Sequence, residues 1–483
     1  MHTSCTRTNA VLCVSALMLA LTPAHAQEGR QQRQIERAVR TAEGPDFRLQ
    51  IDPTLSLDAR SVIDVGGFTS LTGVWLDDST GNSRRLFQPE VTLYGRAIID
   101  GAHTFFARAR AQYRSYSEDD SFDGRGDRWE EPIFDRYWYE FDLANAVAAQ
   151  SGTRLDWNFN LRVGRQFVDW GAGLALSEQL YAARPTFSYK GLSVEGLIGI
   201  TPGDEGVTDF DASRDDFDEE TERPFFGGTV RYTFPSAHEI YAYVLHMGDA
   251  NSGDRPRAAI VPEPVSFDYD ATYVGFGSTG TIGPDLRYLG EFVYQFGEST
   301  SDPLRAAQER EDISAWAARG QLQWFLRDDW LTRVEFEVLL ASGDDDRLTT
   351  TDTVGGNLAG TDDKAFNSLG FVNTGLAFAP ALSNLALVRA GVATFPFREL
   401  DGFDRFQVGA DLLVHHKLDA DGPIEEPTSD DAYLGTEADF FVNWRVTSDL
   451  SLVARYGVFF PGEAITGTKD ARHFVFLGAT LNF

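Results

Sequence analysis

Apolar and polar residues take turns along nearly the whole chain from Phe47 onward. In "EVTLYGRAIIDGAHTFFARARAQYRSY" (90–116), Val91, Leu93, Gly95, Ala97 and Ile99 fall on one side of a two-residue period, and Glu90, Thr92, Tyr94 and Arg96 on the other. Asp100-Gly101 is a tight-turn signal, after which Phe105, Ala107, Ala109, Ala111 and Tyr113 resume the apolar side opposite Arg108, Arg110, Gln112 and Arg114. A period of two sends successive side chains to opposite faces of a β-strand. "TRLDWNFNLRVGRQ" (153–166) and "LRYLGEFVYQFG" (286–297) repeat the scheme. Tight connections recur at 100–103, 189–191, 235–238, 283–285, 327–330 and 447–449, and long polar ones lie between them. Short turns at one end and long loops at the other mark an all-β transmembrane antiparallel barrel with short periplasmic turns and long acidic extracellular loops. Strands of a soluble sandwich are shorter, about 5–6 residues. The segments add up to about eighteen strands, a size that leaves an aqueous channel.

The last stretch, "RHFVFLGATLNF" (472–483), alternates strictly and stops on Phe483. A closed barrel returns its last strand to its first and keeps its lipid face apolar. Val475, Leu477, Ala479, Leu481 and Phe483 are therefore expected to face outer-membrane lipid, and a terminal aromatic resembles the signal read by the outer-membrane assembly machinery. Two stretches compete for the first strand, "FRLQIDPTLSLDA" (47–59) and "FTSLTGVWL" (68–76). Residues 366–381 alternate weakly and read as a strand or as an ordered part of a loop.

Composition adds a destination. Arg7, the apolar run "AVLCVSALMLAL" (10–21) and "AHA" ending at Ala26 form the pattern of a secretory signal peptide over 1–26, too short to span a bilayer. A short polar periplasmic segment (27–46) follows, and the barrel channel is expected over 47–483. Both cysteines, Cys5 and Cys13, lie inside the signal pattern, so the exported chain offers neither a disulfide framework nor a thiolate metal site. A net charge of −31 argues against nucleic acid as a partner.

The acid is concentrated in the loops. "PGDEGVTDFDASRDDFDEETE" (202–222) carries ten acidic residues and one arginine. Within it 209–220 has calcium-like carboxylate spacing, but Arg214 stands where an EF-hand loop needs glycine. These loops read as solvated, or bridged by divalent ions to lipopolysaccharide. By contrast, alternation turns Arg96, Arg108, Arg110, Arg114, Arg136, Arg162, Arg231, Arg287, Arg319, Arg333, Arg445 and Arg455 inward. Rings of arginine favour anions, since guanidinium stays charged and binds carboxylate bidentately. Inward acids accompany them at Glu90, Asp156, Glu195, Glu291, Glu335, Glu337, Glu437 and Asp439, so simple wall pairs are the competing reading. No nucleophile stands near the histidines at strand ends (His246, His415, His416), and no enzyme, cofactor or metal is expected.

Several stretches together resemble the alginate export family of outer-membrane barrels: "DRYWYEFDL" (135–143), "LRVGRQFVDWGAGLALSEQLY" (161–181), "LSNLALVRAGVATF" (382–395), "GADLLVHHKLD" (409–419), "YLGTEADFFVNWRV" (433–446) and "RYGVFFPGEAI" (455–465). The resemblance implies an eighteen-stranded channel with an arginine-rich lumen for a polyuronate. It carries family arginines onto Arg136, Arg162, Arg165 and Arg455. Alternation adds Glu437 and Asp439, facing the lumen beside the strand of Arg455, as a carboxylate–arginine cluster of the constriction. One departure stands out: the family's plugging periplasmic loop before the penultimate strand is replaced here by the tight turn 447–449. The pore is then open, or gated by outer loops such as 117–130. The expectation is diffusion of anionic poly- or oligosaccharide. A general or small-carboxylate porin, and a structural or adhesive barrel with a blocked lumen, are the alternatives.

Overall fold

The computed structural model describes residues 54, 56–57, 60–117, 126–202, 223–250, 268–302, 307–347 and 357–483. Within them the alternating segments form one closed antiparallel sheet of eighteen strands. These are β1 (Ser61–Asp77), β2 (Ser83–Ile99), β3 (His103–Tyr116), β4 (Arg128–Asp142), β5 (Trp157–Trp170) and β6 (Leu176–Tyr189). Then come β7 (Leu192–Ile200), β8 (Pro224–Thr233), β9 (Glu239–Met247), β10 (Tyr269–Ile282), β11 (Leu286–Thr300) and β12 (Arg310–Phe325). The circuit ends with β13 (Arg333–Ala341), β14 (Leu385–Thr394), β15 (Phe406–His416), β16 (Tyr433–Arg445), β17 (Leu450–Pro461) and β18 (Arg472–Asn482). The signal pattern at 1–26, the segment 27–46 and the calcium-like stretch 209–220 lie outside the described residues.

Closure is made by β1, which pairs with β2 on one side and β18 on the other, from Phe68↔Asn482 to Leu76↔Phe474. Gly67 and Phe483 exchange both backbone hydrogen bonds at 2.9 Å, so pairing continues to the last residue. In hydrocarbon an unpaired strand edge has no water to turn to, and closing the sheet removes both edges at once. The first strand is thus the one containing "FTSLTGVWL".

The two faces follow the period. Val91, Leu93, Phe105, Leu477, Leu481 and Phe483 stand on the outer face and are exposed. Arg108, Arg110, Gln112 and Arg114 stand on the inner face and are buried. The expected tight turns join strands at one end, and the long connections lie at the other. Two short-turn-end connections differ from a plain turn. Residues 395–405 join β14 to β15, and 143–156 carry α1 (Leu143–Ser151). Asp142 caps α1 by accepting from Asn145 N, and Gly152 ends it in the left-handed region at φ 68°. Asp156, expected inward on a strand, lies in the turn ahead of β5.

The interior departs from an open water-filled tube. Toward the long-loop end the inward side chains are apolar and covered: Leu245, Met247, Tyr273, Leu339, Leu413 and Phe459 are fully buried. Two segments from that end fold inward and cover them.

Candidate functional site: the constriction

The first inserted segment is the tip of the β5–β6 hairpin. β5 pairs with β4 only up to Tyr137↔Arg165, and β6 with β7 only up to Tyr181↔Ile200. Beyond those rungs β5 and β6 continue to pair with each other, from Gln166↔Leu180 to Trp170↔Leu176. The hairpin therefore leaves the wall as a tongue. The departure is at Gly164, whose φ of +134° is one that residues with a Cβ rarely adopt. A Cβ there would lie 2.3 Å from the Tyr137 carbonyl oxygen.

Contacts at the tip place the tongue across the lumen. Ala172 N donates to Glu291 of β11. The same carboxylate accepts from Tyr241 OH at 2.5 Å and Tyr243 OH at 2.9 Å. Arg319 of β12 donates to Ala172 O at 2.9 Å, and Trp170 Nε1 donates to Glu195 of β7 at 2.9 Å. Glu291 is an inward carboxyl group that gathers one backbone donor from the tongue and two phenol donors from β9.

The second inserted segment is 364–384, between β13 and β14; of the two readings its weak alternation allowed, it is the ordered part of a loop and not a strand. It docks on the tongue through Ser177 N to Leu369 O at 3.1 Å and Ser368 Oγ to Leu174 O at 2.7 Å. Tyr273 OH donates to Asn367 O at 2.8 Å, and Asn367 N donates to Gln295 at 3.0 Å. On the other side Glu437 of β16 accepts from three consecutive backbone groups, Leu376 N at 2.6 Å, Ala377 N at 2.7 Å and Phe378 N at 3.0 Å. Phe378 stacks on Phe459 with centroids 4.2 Å apart, and His415 Nε2 lies 2.8 Å from Thr374 O. The segment is pinned at its root by the buried pair Arg347–Asp363 at 2.6 Å.

These contacts correct two expectations. The lumen is not left open: among the described residues two outer-end segments, the tongue and 364–384, narrow it, and 118–125 of the outer loop 117–130 lie outside the described residues. Nor do Glu437 and Asp439 form a cluster with Arg455. Glu437 is spent on the inserted segment. Asp439 lies opposite Asp411 in the β15–β16 register. Arg455 lies opposite Phe441, nearer the short-turn end, where it donates to Asn443 Oδ1 at 2.8 Å and sits 5.2 Å from the Phe441 ring.

Most of the other expected arginines are on the inner face, and most have acids beside them. Arg96 pairs with Asp64 at 3.1 Å, Arg108 with Asp135 at 2.9 Å, and Arg162 with Glu140 at 2.5 Å. Arg319 binds Glu337 at 2.7 Å, Arg333 lies 3.7 Å from Glu335, and Arg110 lies 3.8 Å from Glu90. Arg136 is buried against Phe167 at 5.5 Å. Three have no ion-pair partner among the described residues: Arg287, exposed and 4.9 Å over Phe325; Arg445, exposed and donating to Ser448 O at 3.0 Å; and Arg455. Arg165 lies opposite Tyr137 and Tyr181, on the face of the exposed Tyr137, yet it is buried and donates to Phe134 O at 3.3 Å. It lies buried at the rung where the tongue leaves the wall.

Two inward residues of the constriction were not singled out. Arg389 of β14 donates to Glu337 at 2.6 Å and also to Asn373 O. Asp411 follows on β15, on the same face as His415, which the sequence marked only as a strand-end histidine. The signal was present in the period of "LALVRAGVAT", where Arg389 shares a side with Leu385 and Leu387. Asp135 had no such signal, because a β-bulge opposite Arg108 and Ala109 turns it and Arg136 into the interior together.

Comparison with solved structures places this geometry in a known fold. Acinetobacter baumannii OccAB1 superposes with a TM-score of 0.53 at 14% identity, over 87% of this chain and 97% of that one. The outer membrane protein OpdK of Pseudomonas aeruginosa does so with a TM-score of 0.50 at 9% identity, over 87% and 98%. No curated protein matches the sequence. A family model described as alginate export matches residues 207–477, more than half of the chain, beginning after the stretches with Arg136 and Arg162 and including Arg455. With its closed eighteen-stranded wall, the chain belongs to the alginate export family of outer-membrane channels.

Proposed function

We propose that this channel passes anionic saccharides, uronate-rich oligomers or polymers, by diffusion through the gap left beside the tongue and 364–384. The observation that carries the reading is the set Arg287, Arg445 and Arg455, inward arginines with no ion-pair partner among the described residues. An arginine already held by a wall carboxylate presents little net charge to a passing solute, whereas a guanidinium held only by neutral acceptors keeps its charge for a uronate carboxylate. The family's name points to the same class of cargo. No cofactor enters this scheme.

A second reading, a small-carboxylate porin, is favoured by the two inserted segments themselves, since a narrowed lumen suits short solutes better than a polymer. Reversal potentials in a planar bilayer under a salt gradient separate the wall from the pathway. Arg287→Glu with Arg455→Glu should move the channel from anion toward cation preference, while Arg96→Gln leaves it little changed. Equal reversal potentials in all three proteins would end the anion reading. Block by uronate oligomers that strengthens with length favours polymer passage; block only by monomers favours the small-carboxylate porin.

A further inference from the structure

The outer face carries a furrow where β17, β18, β1 and β2 meet. Across one row Phe87, Gly73, Leu477, Ala454 and Val442 are neighbours in register, so bulky side chains alternate with nearly none. Nothing lies within 4 Å of where a Gly73 Cβ would be. The resulting cavity, about 570 Å³, runs toward Trp444 at the short-turn end. A second cavity of about 440 Å³ shares Gly73, Phe87 and Leu477 with it and rises toward Arg85 and Trp75 at the long-loop end. The two adjoin at these residues along the lipid-facing wall.

Arg85 gives the furrow a polar head. It is exposed, lies opposite Trp75 in the β1–β2 register and sits 4.9 Å over that ring. No ion pair joins it to an acid among the described residues. The nearby acids are engaged elsewhere, Asp77 with Ser83 Oγ and His473 N, and Asp127 with Ser115 Oγ and Tyr116 N. A cation at the extracellular edge of an apolar belt, directly above a furrow open to the bilayer, complements an amphiphile with an anionic head and saturated chains.

We propose that this furrow binds one molecule of lipopolysaccharide, with an acyl chain over Gly73 and a phosphate on Arg85. The site is separate from the lumen.

The test is native mass spectrometry of the refolded barrel titrated with bisphosphorylated lipid A, with phosphatidylglycerol in parallel. One lipid A per chain is expected to bind ahead of phosphatidylglycerol. Arg85→Glu should weaken it on the order of tenfold, the loss of a charge-assisted contact. Gly73→Phe, which meets open space and leaves the ladder intact, should abolish it. Conductance should be unchanged in both variants. Equal binding to all three proteins, or no preference for lipid A over phosphatidylglycerol, overturns the proposal. So does a wild-type dimer that Gly73→Phe converts to monomer, since a second copy would then be the occupant.

Discussion

Glu437→Ala should raise single-channel conductance in planar bilayers, roughly two- to threefold if the inserted segment leaves the lumen of a barrel this size. Glu437 meets three successive N–H groups of 376–378 with one buried carboxylate. Removing it orphans three donors, and at about 1–3 kcal/mol for each the docked position loses several kcal/mol. The Arg347–Asp363 pair still holds the root of the segment, so the expected change is undocking at the Phe378 end rather than loss of the fold. Glu437→Gln keeps the shape and one acceptor, and should fall between the two. A barrel that stays folded at unchanged conductance would show that 364–384 is held without Glu437 and that the constriction lies elsewhere.

The second large effect is expected at Gly164. Valine there must take a φ of +134° and place its Cβ 2.3 Å from Tyr137 O and 2.7 Å from Trp138 Cα, both backbone atoms of the neighbouring strand. The clash can be relieved only by parting β4 from β5, whose shared ladder begins at this point. A cost of about 4 kcal/mol or more follows for a bulky residue at a special backbone conformation inside a ladder. Gly164→Val should therefore fail to reach the fast-migrating folded form on unheated gels. Gly95→Ala, where no atom lies within 4 Å of the added Cβ, should fold as the wild type does. Normal folding and conductance of Gly164→Val would mean the hairpin can stay in the wall, and the tongue would lose its structural basis.

The inner and outer faces of β2, β3, β11 and β18 were legible from alternation because a strand in a bilayer has no freedom to mix them. The places where reading by period failed share one cause. A single residue with unusual backbone, Gly164, or a single bulge, at Asp135, changes which way its successors point. Period alone did not mark "LANAVAAQS" as α1, which is short and held by its caps and by contacts with neighbouring turns. Segment 364–384 resisted assignment for a related reason. Its buried positions, such as Phe366, Leu369 and Phe378, answer to partners on β10, β6 and β17 rather than to a face of its own.

By itself, then, the sequence determined the wall: strand number, closure of the last strand on the first, the lipid face and the presence of inward arginines. Only the tertiary structure decided the lumen. Whether Arg319 stands free or serves Glu337, and whether Glu437 meets a solute or a loop, depends on residues far away in the chain that share one interior. Strand faces are imposed locally by a period of two and a uniform solvent, whereas pairing across a lumen is imposed by distance in space, which no local pattern records.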